Sequence, residues 1–179
     1  MNDDNEPRTL VRQDRVNAAL AEVSSVLWRV RELLDLLVFK LEEEQLLLAA
    51  GRPRWLTRAT HEVEIVLEEI RHAELQRALE VDEAARLLGL PDAPSLRELS
   101  ERAPEPWGDI LREHRAAFLA ATAEVSAHAE ANRELLTASY LAVRETLTGL
   151  GGRGHGNATY TAAGSTTAAS HSQLVDRAM

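Results

Sequence analysis

Several groups of residues in this chain have the chemistry for a reaction centre, and each lacks a necessary member. Glu69 and His72 form a Glu-x-x-His pair, the unit from which helical bundles assemble di-iron carboxylate sites. Such a site takes a second pair and single inward glutamates from two more helices, and no second Glu-x-x-His occurs. His61-Glu62 begins like a zinc-protease helix, but Ile65 stands where the second histidine is needed. Ser24, Ser25, Ser126 and Ser139 lie within helix-patterned stretches, with no strand–turn context and no paired base. The glycines of 151–156 follow a helical pattern and lack the lysine that completes a phosphate loop. With no cysteine there is no thiol nucleophile, disulfide or thiolate metal site. The expectation is a non-enzymatic chain with no metal and no cofactor.

Other polar and aromatic residues have plainer readings. His114, His128 and Asn132 fall on or beside an apolar seam; surface residues flanking a narrow stripe are the expected reading, and polar register-setters in the core the alternative. The run Glu42-Glu43-Glu44, with Glu62, Glu64, Glu68 and Glu69, reads as a solvated acidic face. A docking patch for a basic partner is its alternative. Trp28, Trp55 and Trp107 are expected to anchor the core or the hairpin.

These residues are positioned by long helices. All six prolines (Pro7, Pro53, Pro91, Pro94, Pro104, Pro106) fall outside three long stretches, and eight of the nine glycines lie at their edges or beyond them. Both residue types oppose helix interiors, so their placement maps the elements. A first helix is expected over about 10–50, a second over 53–88, a short one over 96–102 and a last over 106–148. Ser95-Leu96-Arg97-Glu98 is the capping-box pattern that opens the short helix. Gly51 followed by Arg52-Pro53 folds the first helix back on the second. Residues 1–9 are expected to be a flexible N-terminus and 10–150 one helical domain. The Gly/Ser/Thr/Ala-rich stretch 151–179 is expected to be a disordered tail.

The apolar periodicity agrees. Val16, Leu20, Val23, Leu27, Val30, Leu34, Leu37 and Leu41 alternate spacings of four and three, the repeat of left-handed coiled-coil packing. Leu56, Ala59, Val63, Val66, Ile70 and Ala73 continue it on the second helix. The fold class is therefore all-α: an elongated antiparallel helical hairpin with a long third helix, as a three-helix bundle or coiled coil. On the last helix the seam is weak through Arg115, Thr122 and Ala129, then strongly apolar at Leu135, Leu136, Tyr140, Val143 and Leu147. If that helix runs antiparallel to the second, this end overhangs. The overhanging stripe then binds either an amphipathic helix from another chain or a second copy of itself.

A net charge of −9 argues against nonspecific nucleic-acid binding and adhesion to anionic membranes. The acidic start Met1-Asn2-Asp3-Asp4 is unlike a signal peptide, and no apolar run long enough to span a membrane is present. A soluble, cytoplasmic protein is expected.

The stretch Leu33-Leu34-Asp35-Leu36-Leu37, then Lys40-Leu41-Glu42-Glu43-Glu44 and Gly51, resembles the FlgN family of flagellar export chaperones. So do Leu87-Leu88-Gly89-Leu90, Ser95-Leu96-Arg97-Glu98-Leu99 and Asn132-Arg133-Glu134-Leu135-Leu136, in the same order along the chain. The resemblance implies a cytoplasmic chaperone for hook-associated proteins of the hook–filament junction. It would hold their terminal helices, prevent early assembly and deliver them to the export apparatus, where it works transiently at the inner face of the membrane. It also implies that the client binds toward the end of the last helix, where the apolar stripe names Leu135, Leu136, Tyr140, Val143 and Leu147. Tyr160, or the terminal segment with Leu174 and Val175, is the candidate for docking on the export gate. A self-associating coiled-coil scaffold with no export role, using the same stripe for a homodimer, is the alternative.

Overall fold

The structure is a computed structural model describing residues 6–153, with side chains described from Leu10 to Gly149. Every regular element among the described residues is helical: α1 (Glu6–Ala49), α2 (Pro53–Leu88), α3 (Leu96–Arg102) and α4 (Trp107–Arg153). The N-terminal residues 1–5 and the tail 154–179, including Tyr160, Leu174 and Val175, lie outside the described residues.

The turns are built by the expected residues. Gly51 takes φ 61°, its N–H bonding the Leu48 carbonyl, while Arg52 N–H reaches back to Leu47. Gly89 repeats this at the end of α2 with φ 72°, bonding Arg86, while Leu90 N–H reaches Ala85. Both are Schellman closures, in which a left-handed residue lets two otherwise orphaned carbonyls find donors. Pro53 opens α2, where its missing N–H is not needed. At α3 the Ser95 hydroxyl accepts from Glu98 N–H at 3.2 Å, and the Glu98 carboxylate accepts from Ser95 N–H at 2.8 Å.

The chain divides into two compact units, Met1–Leu136 and Thr137–Met179. Within the first, α1 and α2 pack antiparallel. Arg12 donates to the Leu87 carbonyl, Arg29 meets Glu69 at 2.9 Å, Lys40 meets Glu62 at 2.7 Å, and Thr60 donates to Glu44 at 2.6 Å. The part of α4 in this unit runs parallel to α1. Trp107 Nε1 donates to Asn17 at 3.2 Å, His114 meets Ser24 at 3.2 Å, and Asn132 donates to the Leu41 carbonyl at 2.9 Å.

Three apolar clusters line the hairpin. The first joins Val16, Leu20, Val23 and Leu27 to Val81, Ala84, Leu99 and Leu111, and so ties all four helices together. The second gathers Val26, Val30, Leu33 and Ala73, and the third Leu37, Leu41, Val63 and Val66. From α4, Phe118 and Val125 fill the sides of these last two. Each fully buried leucine, such as Leu20 or Leu27, contributes about 1.5–3 kcal/mol by leaving water.

The polar residues of α4 correct the surface reading. His114 and Asn132 are buried, and His128 is half-buried with its Nδ1 atom 3.1 Å from Gln45. They lie in the seam because α1 presents polar partners there: Ser24, Gln45 and Glu44. The tryptophans divide. Trp107 is half-buried and hydrogen-bonded, as an anchor should be. Trp28 and Trp55 are 49 % and 44 % exposed, so neither is a core residue. Trp28 nonetheless meets His114 edge-on at 5.1 Å, with the Arg31 guanidinium 4.2 Å from its ring centre.

Candidate functional site

The stretch Thr137–Gly149 is rich in good helix formers and free of proline, with its first glycine at Gly149. It is helical throughout, and every one of its residues is exposed. Tyr140, Val143 and Leu147 follow one another at spacings of three and four, which keeps them on one face. They are 67 %, 59 % and 63 % exposed, and with Arg144 and Thr148 they line a shallow groove. Thr146 and Thr148 turn their hydroxyls back to the carbonyls of Ala142 and Arg144, so neither needs a partner from outside. The result is an apolar surface with few polar demands. Of the other two residues expected on this face, Leu136 is 43 % exposed and Leu135 half-buried, both at the end of the unit Met1–Leu136.

The residues considered for chemistry are dispersed. Glu69 is held by Arg29, while His72 lies 3.8 Å from Glu68 and His61 3.6 Å from Glu64. Among the described residues no three metal-ligating side chains converge. Lys40, the only lysine, sits between Glu43 and Glu62 at 2.7 Å from each. Those bonds hold its ammonium pKa above the usual value, and the same contact with Lys40, aided by Arg58, holds the Glu62 carboxyl below its usual range. Lys40 therefore clamps the hairpin near its turn.

His114 lies buried beside a charged side chain. Burial and then the nearby Arg31 charge lower its pKa from 6.5, with Glu113 opposing. Its Nε2 atom shares the bond to Ser24, and its buried Nδ1 has no partner among the described residues. A charged imidazolium is disfavoured there, which suits a packing role.

One surface went unread in the sequence. Ile65, Leu75 and Leu79 of α2 are 46 %, 67 % and 71 % exposed. Their spacing relative to His61, Glu68 and His72 was the available signal, hidden because polar residues interrupt it.

Among the described residues the chain is all-helical and displays an exposed apolar helical face. The family described as FlgN protein matches residues 19–168, and the chain belongs to this family of flagellar export chaperones. It is a chaperone family and not an enzymatic one. No curated protein and no solved structure matches the chain. No helix among the described residues is long and apolar enough to cross a membrane.

Proposed function

We propose that this chain is a cytoplasmic chaperone for hook-associated proteins, and that Tyr140, Val143 and Leu147 bind a helical C-terminal segment of its client. Leu135 and Leu136 precede them on the same helix and extend the binding stripe. The observation that carries this is the exposed helix of Thr137–Gly149, on which Tyr140, Val143 and Leu147 share one face. An amphipathic client helix would lay its own apolar side there, as helices do in groove-type recognition. Apolar burial supplies roughly 25 cal/mol per Å², less the cost of ordering the client segment. Covering the client's terminal helix prevents premature assembly until the export apparatus receives the complex. In this role α4 packs against the hairpin through its first part and offers the client platform further along. Tyr160, Leu174 and Val175 are proposed to dock on the export gate.

Size-exclusion chromatography with light scattering tests the client face. Mixing the protein with the C-terminal helical segment of a hook-associated protein should give a stoichiometric complex that Val143→Asp abolishes. A stable self-dimer through α4 that ignores every client segment would instead establish the scaffold. Truncation after Arg153 separates the tail's role: client binding should persist while binding to the export gate is lost.

A further inference from the structure

The turn end of the hairpin has no assigned role. Leu46 and Leu47 lie in the last turn of α1 and Trp55 in the first turn of α2. With Ala59 they form the apolar floor of an open groove of about 500 Å³. Leu46 is 66 % and Trp55 44 % exposed, so neither closes the turn. The left-handed Gly51 and the Lys40 clamp do that. Tryptophan beside arginine, over a concave apolar floor, is the composition of an interface centre.

Charge specifies the occupant. Between Glu44 and Glu62 the chain carries Arg52, Arg54 and Arg58 and no carboxylate, within a protein of net charge −9. On the groove's rim, Glu43 and Glu62 are balanced by Lys40, 2.7 Å from each, and by Arg58, 3.0 Å from Glu62. Arg52 and Arg54 remain in surplus. Neither has a carboxylate partner among the described residues, and the Arg54 guanidinium lies 4.8 Å from the Trp55 ring centre. The second helix also starts without a side-chain cap or an acidic residue in its first turn, so the positive end of its dipole adds to the two guanidiniums. We propose that this groove docks an acidic amphipathic segment of a second protein. Its apolar side chains would pack on Leu46, Leu47 and Trp55, and its carboxylates would meet Arg52 and Arg54, whose planar forks suit them. A concave floor fits peptide side chains, whereas an anionic bilayer would also meet Glu43 and Glu62 on the same rim. The groove lies within the unit Met1–Leu136, separate from Tyr140, Val143 and Leu147.

Selection from a displayed library of random peptides of about 16 residues, long enough for four helical turns, tests this on the full-length chain. Counter-selection on the Arg52→Glu, Arg54→Glu double variant removes peptides held elsewhere. The survivors should combine apolar residues at helical spacing with Asp and Glu. Fluorescence anisotropy of the leading labelled peptide then locates the site. Affinity should fall at least tenfold, about 1.4 kcal/mol, in the double variant, in Trp55→Ala and in Leu46→Asp, and should weaken as salt rises. Val143→Asp should bind the peptide as the parent does, which separates this groove from the client face. Circular dichroism should be unchanged throughout, because the substituted side chains are exposed. The proposal is overturned if no peptide distinguishes the parent from the double variant, if the survivors are basic or uncharged, or if Trp55→Ala and Leu46→Asp bind normally. Flotation with vesicles of phosphatidylcholine and phosphatidylglycerol gives the second arm. Vesicle binding by the parent that is lost in the double variant, or a self-dimer lost in it, would assign the groove another occupant and overturn the proposal.

Discussion

Asn132 connects three helices through one carboxamide. Its Nδ2 atom donates to the Leu41 carbonyl at 2.9 Å and to the buried Glu44 carboxylate at 3.1 Å, and Glu44 also accepts from Thr60 at 2.6 Å. An apolar replacement would leave a buried carboxylate oxygen short of a donor, the expensive way to lose a hydrogen bond. Asn132→Leu should therefore cost about 1–3 kcal/mol in urea unfolding despite its better match to the apolar stripe. His114 makes a different prediction. Its folded pKa is lowered from 6.5, so the unfolded chain binds the proton more readily than the fold does. That stabilising contribution is complete above about pH 6.5 and is lost as pH falls below it. Equilibrium unfolding between about pH 6.5 and 5 should show a shallower loss of stability in His114→Gln than in the parent. Equal slopes would mean that His114 is not held neutral in the fold.

At the scale of elements, the punctuation of the chain carries most of the design. Gly51 and Gly89 both occupy left-handed conformations with open space around a would-be Cβ, so a side chain there strains only the backbone. Gly89→Ala should destabilise by about 1–2 kcal/mol in thermal or urea melts, without altering helical content. This is why the helix boundaries were legible: a Schellman glycine, a first-turn proline and the Ser95–Glu98 box act within a few residues, and local chemistry is what a sequence displays. The α1 seam was legible for the same reason, since Val16 to Leu41 repeat at a fixed spacing and all but Leu34 are buried. His114 and Asn132 were not legible, because their burial depends on Ser24 and Glu44, about ninety residues away along the chain. A period shows which residues share a face, not what the facing helix will offer them. Leu75 and Leu79 escaped notice from the opposite cause: the core stripe of α2 already accounted for its packing, and their seam is broken by Glu68 and His72.

At the scale of the molecule, α4 contributes residues to both compact units. Between Trp107 and Asn132, α4 packs into the hairpin through Leu111, His114, Phe118 and Asn132. From Thr137 to Gly149 its apolar residues are all exposed. Membership of the FlgN family gives the export-chaperone role, and the exposed face is where that role is proposed to be carried out. Val143→Asp should leave the far-ultraviolet circular dichroism intact, because Val143 is 59 % exposed, while lowering client affinity by at least tenfold, about 1.4 kcal/mol. Hydrogen exchange tests the central claim most directly, since an uncovered helix opens readily and a covered one does not. On adding a client's C-terminal helical segment, amide exchange should slow across residues 137–149 and change little along α1 and α2. Unchanged exchange there, with new protection confined to the hairpin, would contradict the account.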